Sequence, residues 1–200
     1  MLKNLIEDAK SDDMSVVKKV FTDQQISDTD LAGIEFVSVT FKKCRFLNCN
    51  FTKCGFYNVT FDNCDFSNCT FIESYWKQSK IIESKGNGAN FLLSGFKESQ
   101  IKNSSFFCAN FSQSIWEHTK FCCSNFREAF VCKAILKKAE FEQIDFTGAD
   151  FSNTALSGTD FSDCVISGIC LSESLKELKG CKITAFQAVD LISVLGVKVV

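Results

Sequence analysis

Residues 36–71 read FVSVT FKKCR FLNCN FTKCG FYNVT FDNCD FSNCT F, with a phenylalanine at every fifth position. The spacing continues without an insertion to Leu171, and in the series that starts at Ile26 only Gly86 lacks a large apolar side chain. A helix face recurs about every 3.6 residues and a strand face every 2 residues, so neither explains a period of five. The chain must therefore turn a corner within every unit.

Two further positions of each unit are patterned. The residue two before the large one is small in most units, which suits an inward position beside a large side chain. The residue two after it is often one that accepts positive φ in a tight turn. These turn residues are Asn48, Asn58, Asn63, Asn68, Asn103, Asn153, Gly33, Gly88, Gly148, Gly158 and Gly168.

The units ADFSN (149–153), TDFSD (159–163) and ANFSQ (109–113) resemble the pentapeptide-repeat family, whose unit is small, Asp or Asn, Phe or Leu, small polar, variable. The resemblance implies an all-β solenoid, a right-handed quadrilateral β-helix with four units and twenty residues per coil. The large residue and the small residue two before it would point inward, and the other three would face water. The match covers residues 26–171.

The two ends depart from the repeat. Residues 1–25 carry no five-residue pattern and predict a short helical N-terminal cap, which we favour over a separate functional arm because a first coil exposes apolar side chains and strand edges. Residues 172–200 predict a C-terminal capping and dimerisation module. Thr184 and Gln187 form a capping box before an amphipathic helix. Gly196 ends that helix, and residues 197–200 read as a short strand.

The C-terminal module is similar to that of the quinolone-resistance group of pentapeptide proteins, where it closes the solenoid and forms a two-fold dimer. The resemblance implies a homodimer, with a purely intramolecular cap as the alternative. The predicted interface residues are Phe186, Ala188, Leu191, Ile192, Leu195, Val197 and Val199. Members of that group often carry loops between coils, and this chain has no such insertion because its register never slips.

Gly86 interrupts the series of large side chains. At Gly86 we favour a local irregularity over a ligand notch.

Six of the twelve cysteines occupy the small inward position, where a free thiol acts as a compact hydrophobe: Cys44, Cys49, Cys54, Cys64, Cys69 and Cys164. Cys44 and Cys64, like Cys49 and Cys69, would stack about 4.8 Å apart on adjacent coils, a distance compatible with a disulfide. Reduced thiols are favoured, since no secretion signal accompanies them.

The sequence predicts a non-enzyme with no cofactor and no metal site. A filled solenoid offers flat walls rather than a pocket in which polar groups converge. His118, the single histidine, takes an outward position and reads as a solvated residue. Cys122 and Cys123 lack metal-ligand spacing. We expect a cytoplasmic protein, since the sequence shows no charged-then-apolar leader and no apolar run long enough to cross a bilayer.

An acidic stretch near the C-terminus suggests a function. From Glu140 to Glu173 there are seven acidic residues and no Lys or Arg, whereas residues 36–61 carry Lys42, Lys43, Arg45 and Lys53 and no acid. The predicted partner-binding surface consists of Glu140, Glu142, Asp145, Asp150, Asp160 and Asp163.

The resemblance to the quinolone-resistance group implies a rod that mimics DNA, binds DNA gyrase or topoisomerase IV, and modulates the enzyme or protects it from quinolones. A scaffold for protein–protein interaction with no topoisomerase role is the alternative, because the net charge of −2 is small for a DNA mimic. Direct nucleic-acid binding is not expected, since the basic residues cover too little of the rod.

Overall fold

The computed structural model describes residues 15–194 and Val197, which form a parallel β-solenoid followed by one helix. Paired residues lie twenty apart in sequence, as in Phe36 with Phe56 and Phe41 with Phe61. Each coil therefore contains four five-residue units, and each unit forms one of four faces. The predicted all-β solenoid of pentapeptide units is confirmed.

Faces 1 and 2 are parallel sheets of seven strands each. Face 1 consists of β1 (Ser15–Val17), β4 (Glu35–Val37), β7 (Gly55–Tyr57), β9 (Tyr75–Lys77), β11 (Gly95–Lys97), β13 (Ile115–Glu117) and β15 (Ile135–Lys137). Face 2 consists of β2 (Val20–Thr22), β5 (Thr40–Lys42), β8 (Thr60–Asp62), β10 (Lys80–Ile82), β12 (Gln100–Lys102), β14 (Lys120–Cys122) and β16 (Glu140–Glu142). Face 3 begins with β3 (Gln25–Ser27) and β6 (Arg45–Leu47) and continues as isolated bridges, and face 4 consists of bridges such as Asn50 with Thr70.

The predicted boundary of the N-terminal cap is wrong. Residues 15–25, which were assigned to a helical cap, already form β1, β2 and the start of β3. Val16 and Phe21 are buried and occupy the central positions of their units, so the five-residue pattern begins ten residues earlier than predicted. Val16 and Phe21 continue the spacing of five on the N-terminal side of Ile26, and assigning this segment to a helical cap concealed them. The rest of the predicted cap, residues 1–14, lies outside the described residues.

The core is a ladder of aromatic rings. Rings on the same face stack from coil to coil, as in Phe51 and Phe71, whose centroids lie 4.7 Å apart with an interplanar angle of 1°. Rings on neighbouring faces meet edge to face, as in Phe41 and Phe46 at 5.5 Å and 82°. Each such buried side chain contributes about 1.5–3 kcal/mol through removal of apolar surface from water. The central series thus stabilises the whole length of the solenoid.

Gly86 leaves no notch in this ladder. The rings of Phe66 and Phe106 lean together across the missing side chain, and their centroids lie 6.1 Å apart although two coils separate them. A Cβ atom at Gly86 would lie 2.5 Å from Phe66 Cε2 and 2.8 Å from Phe106 Cε1. The glycine is therefore required by close packing, and the local irregularity is the correct interpretation.

The corners have left-handed backbone, as the pattern predicted for Asn and Gly. Asn48 has φ of 51° and Gly88 has φ of 66°. Residues for which this conformation costs more free energy adopt it as well, among them Lys43, Glu73 and Leu93. From Lys18 to Gly168 the residue two after the large one therefore has positive φ whatever its type, with Asp163 as the exception.

Inward-facing amides are satisfied in two ways. At a turn corner the N–H donates to the carbonyl three residues earlier, as Cys54 does to Phe51 at 3.2 Å. At a strand corner it donates instead to a side chain one coil further on, as Cys64 N–H does to Ser84 Oγ at 3.0 Å and Val59 N–H to Ser79 Oγ at 3.0 Å. The small inward residues are therefore hydrogen-bonding partners as well as space fillers.

The inward cysteines take part in the same arrangement. The six cysteines predicted to point inward are buried, and the cysteines are free thiols throughout the described chain. Cys44 N–H donates to Cys64 Sγ at 3.4 Å, and the Cys64 thiol donates to the carbonyl of Phe41 at 3.3 Å. The sulfur thus replaces a serine hydroxyl between stacked coils.

Glu177 closes face 4 where the repeat ends. Its Oε1 accepts the N–H groups of Asn153 at 2.8 Å and Ser172 at 3.1 Å. Lys133 is the residue one coil before Asn153, and its N–H donates to the carbonyl of Ser152 in the next coil. The Glu177 carboxylate therefore replaces the carbonyl that a further coil would have offered to the Asn153 N–H. Burial opposes ionisation of this group, but the hydrogen bonds from Ser172 and Asn153 outweigh it and hold the pKa of Glu177 below its ordinary value. Glu177 belongs to the 3₁₀ helix Lys176–Leu178.

Replacing Ser84 and Ser94 by alanine tests the role of the inward hydroxyls. Both serines are buried, but Ser94 Oγ has no hydrogen-bond partner among the described residues. Ser84→Ala leaves a buried N–H unpaired, so we expect it to lower the free energy of unfolding by about 1–3 kcal/mol. Ser94→Ala loses no hydrogen bond and should change it by less than about 0.5 kcal/mol. Urea titration followed by circular dichroism measures both, and equal losses would contradict this role.

Candidate partner-binding surfaces

The six predicted acidic residues do not form one surface. Glu140, Glu142, Asp160 and Asp163 belong to units of face 2, whereas Asp145 lies on face 3 and Asp150 on face 4. The prediction counted carboxylates along the chain without assigning each unit to a face. The structure brings four of the six together and separates the other two from them.

Three of these residues stabilise turns of the solenoid. The Oδ1 atoms of Asp145, Asp150 and Asp160 accept the backbone N–H two residues further on, at 2.9, 2.8 and 3.0 Å. Asn50 and Asp65 make the same contact in earlier coils, so the interaction belongs to the repeat itself. An Asp or Asn before the large residue therefore reflects turn chemistry before it reflects function.

Ion pairs neutralise part of the acidic charge. Glu142 Oε2 lies 3.3 Å from Lys120 Nζ, and Asp160 Oδ2 lies 3.8 Å from Lys182 Nζ. Hydrogen bonds from the Ser162 side chain and N–H, with a smaller effect of Lys182, hold the pKa of Asp160 below its ordinary value. Glu140 and Asp163 form no ion pair within the part of the chain that the structure describes.

An acidic depression lies on face 2 between the last two coils. It has a volume of about 360 Å³ and is lined by Glu140, Asp160 and Asp163 together with Phe141 and Gly158. Glu142 lies on β16 beside it. Of the predicted acidic surface, this depression is the part that the structure assembles, and we call it the acidic depression below.

The predicted basic stretch is largely paired. Lys42 lies 3.7 Å from Asp62 and Lys53 lies 3.7 Å from Glu73, each one coil further on. Arg45 lies 3.9 Å from Asp65 in the same way. A sequence reading at a spacing of twenty would have found these partners, because stacked coils bring such residues to about 4.8 Å. The contrast between this basic stretch and the acidic stretch from Glu140 to Glu173 is therefore weaker than the sequence suggested.

The C-terminal helix α1 (Ala185–Val194) packs on the last coil. The predicted capping box is present, since Gln187 Oε1 accepts the Thr184 N–H at 2.7 Å and Thr184 Oγ1 accepts the Gln187 N–H at 3.2 Å. Gln187 Nε2 also donates to the carbonyls of Phe161 and Cys164, each at 2.7 Å. Leu191 is buried among the core residues. The helix therefore caps its own solenoid.

This packing divides the predicted dimer interface. Leu191 is used within the chain, and Ala188 is half-buried. Phe186 and Ile192 remain outside, with exposed fractions of 89% and 38%, and Val197 is exposed as well. Leu195 and Val199 lie outside the described residues, as does most of the predicted strand at 197–200. An exposed apolar strip therefore remains on α1, with Val189 as a member that the prediction omitted.

A second surface, on face 1, escaped the sequence analysis. Tyr75, Leu93 and Ile115 are exposed around Gly95 and line an apolar groove of about 340 Å³, whose floor includes Phe96. The signal was present in the sequence as an apolar residue or glycine at positions 75, 95, 115 and 135, which are outward positions. Reading the chain only at a spacing of five concealed it. We call this surface the face-1 groove.

His118 lies at an outward corner, where its backbone N–H donates to the Lys137 carbonyl. Within the described residues, no group of three or more His, Cys, Asp or Glu side chains is placed to hold a metal ion. None of the helices in that part of the chain has the length and apolar character needed to cross a bilayer.

Comparisons with known proteins agree with this geometry. Family models described as pentapeptide repeats match residues 20–80 and 124–163. A trypsin-treated variant of QnrB1, a plasmid-mediated fluoroquinolone resistance protein, superposes with a TM-score of 0.56 at 21% identity, covering 94% of this chain and 99% of that one.

HetL, a pentapeptide repeat protein involved in heterocyst differentiation regulation from the cyanobacterium Nostoc sp. strain PCC 7120, superposes with a TM-score of 0.51 at 13% identity. That match covers 90% of this chain and 95% of HetL. At these identities the likeness to QnrB1 and HetL shows the fold alone. No curated protein sequence matches the chain.

Proposed function

The chain belongs to the pentapeptide-repeat family, and we propose that it is a non-catalytic protein that binds a type II topoisomerase, DNA gyrase or topoisomerase IV, by mimicking the charge of DNA. The observation that carries this proposal is the acidic depression, where Glu140, Asp160 and Asp163 gather on one face beside Glu142. In this proposal the protein acts in the cytoplasm of a bacterial cell.

Electrostatics supports this choice of target. A topoisomerase surface that holds DNA is cationic because it is built for phosphate charge, and it attracts carboxylates on a rod for the same reason. The attraction falls as salt concentration rises, as it does for DNA. QnrB1, a plasmid-mediated fluoroquinolone resistance protein, has a similar fold, and this likeness supports the choice of target.

Dimerisation through α1 is part of the proposal. Phe186, Val189 and Ile192 form an apolar strip that the solenoid leaves in water. Two copies of one strip, related by a two-fold axis, cover each other in an isologous contact. Because Gln187 ties α1 to the coil that contains Asp160 and Asp163, such a dimer would bring two acidic depressions toward the middle of a longer rod.

An interaction scaffold with no topoisomerase role is the second candidate. The face-1 groove supports this candidate, because contiguous exposed apolar residues on a protein surface mark binding sites for other proteins. The two candidates use different faces and different chemistry, so reversing charges on face 2 separates them.

Gyrase supercoiling with the protein titrated in, with and without a fluoroquinolone, tests the first candidate. We expect the wild-type protein at low micromolar concentration either to inhibit supercoiling or to reduce drug-trapped cleavage. The double variant Glu140→Lys with Asp163→Lys should lose at least tenfold in potency, because both charges then repel a cationic surface. Neither residue makes a turn hydrogen bond or an ion pair among the described residues, so the variant should fold.

Asp23→Lys with Glu83→Lys is the matched control. It makes the same change in net charge at two other outward positions of face 2 and should keep wild-type potency. Equal loss in both double variants would indicate a non-specific effect of net charge. Absence of any effect of the wild-type protein on gyrase and on topoisomerase IV would exclude the topoisomerase and leave the scaffold.

Sedimentation velocity tests the dimer. We expect the wild-type chain to sediment as a dimer and Phe186→Glu to sediment as a monomer, because a carboxylate within the apolar strip opposes its burial. Phe130→Glu, at an exposed phenylalanine on face 4, is the control and should remain dimeric. A monomeric wild-type chain, or a dimeric Phe186→Glu variant, would refute dimerisation through α1.

A further inference from the structure

From β9 onward, the outward row at the start of the face-1 strands is apolar, whereas the equivalent row on face 2 is polar. In β9, β11, β13 and β15 the row reads Tyr75, Gly95, Ile115, Ile135. The equivalent row on face 2, five residues later in each coil, reads Lys80, Gln100, Lys120, Glu140. Both rows belong to parallel strands, so the backbone does not require apolar side chains on face 1.

These apolar residues are exposed and contiguous. Tyr75 and Ile115 are each 38% exposed, and Leu93 and Ile135 are each 48% exposed. Phe107, on face 3, is also exposed but lies apart from them, as single surface hydrophobic residues commonly do. The cluster on face 1 thus differs from the scattered exposure found elsewhere.

Gly95 makes the row concave. It stands between Tyr75 and Ile115 in the sheet, and its missing side chain opens the face-1 groove above Phe96. A Cβ atom at this position would meet Tyr75 Cδ2 at 3.1 Å, so the Tyr75 ring borders the opening. The volume of about 340 Å³ suits one large side chain of a binding partner.

Leu93 forms another wall of the groove at an energetic cost. It holds left-handed backbone with φ of 59°, a conformation that a bulky residue adopts unfavourably, and it exposes its side chain there. Asn or Gly would relieve the strain and Lys or Glu would be better hydrated at the same corner. The repeat imposes this backbone on its other corners too, so the exposed apolar side chain beside a concave surface is what distinguishes Leu93.

Glu73 lines the groove and lies 3.7 Å from Lys53, and most of the other charges beside the groove are positive. The row parallel to the apolar one reads Lys77, Lys97, Glu117, Lys137. Lys97 Nζ lies 2.8 Å from Glu117 Oε1, whereas Lys77 and Lys137 form no ion pair within the described part of the chain. Lys77 and Lys137 therefore place two ammonium groups along one side of the apolar surface, and Lys137 lines the groove together with Glu117.

We propose that the face-1 groove binds an acidic protein segment through one large apolar side chain, which enters the opening above Gly95 while carboxylates beside it meet Lys77 and Lys137. The apolar anchor supplies affinity and the charges select the segment. The proposal goes beyond topoisomerase binding and does not rest on it. It uses face 1 instead of face 2, and its ligand is acidic whereas the topoisomerase surface is cationic.

Peptide titration followed by ¹⁵N–¹H NMR tests the proposal. The probe is acetyl-Asp-Glu-Trp-Asp-Glu-amide, and we expect saturable shifts at the amides of Tyr75, Leu93, Gly95 and Ile115 with a Kd of about 1 mM or lower. A peptide with Ala in place of Trp should bind at least tenfold more weakly. A peptide with Asn and Gln in place of the acids should bind about fivefold more weakly, since it lacks attraction to the lysines.

Gly95→Val fills the opening and should weaken binding of the Trp peptide at least tenfold. Valine suits a strand, and only the exposed Tyr75 ring must move to admit it, so the variant should fold. Gln100→Val, at the equivalent position of face 2, is the control and should leave the Kd unchanged. Shifts confined to other surfaces, no saturable shifts, or equal binding by wild type and Gly95→Val would overturn the proposal, whatever the gyrase result.

Discussion

Hydrogen bonds between coils fix the register of this protein at twenty residues. Phe51 N–H donates to the Thr70 carbonyl at 2.6 Å and Lys53 N–H to the Ile72 carbonyl at 2.8 Å, and the same pairing repeats along the solenoid. Because no coil can shift without breaking its bonds to both neighbours, residues twenty apart stack about 4.8 Å from each other. Any residue type that recurs at this spacing becomes a ladder. Aromatic rings, inward hydroxyls and ion pairs all follow from this one constraint.

The spacing of five was enough to predict the central residues, the small inward residues and the positive φ at the corners, because one unit contains the information for each. It was not enough to predict which faces form strands, since Phe36 on a strand face and Phe71 on a turn face look alike in the sequence. The partners of Ser84 and Glu177 were also missed, because a hydrogen bond across coils depends on the stacking of residues that are distant in sequence.

The candidate sites likewise depend on the stacking of coils, which a spacing of five does not show. Asp145 and Asp150 were read as contacts for a partner, but their carboxylates accept turn N–H groups and lie on two other faces. Glu140 and Asp163 remain available on face 2 because they carry out no such task among the described residues. The face-1 groove went unnoticed since its members, such as Tyr75 and Ile115, are twenty or forty residues apart. A surface on a solenoid becomes visible only when the sequence is arranged by coil.

Deleting part of the chain tests most directly whether the coil of twenty residues is the structural unit. A variant that lacks residues 101–120 keeps every column aligned, so we predict cooperative thermal unfolding with a Tm a few degrees below that of the wild type. A variant that lacks only residues 101–105 moves every later unit by one face, which places Ala109 where the hydroxyl partner of Ser84 N–H should be. It should lose far more stability despite its smaller deletion. Equal or greater stability of the five-residue deletion would show that the single pentapeptide, and not the coil, is the unit of this fold.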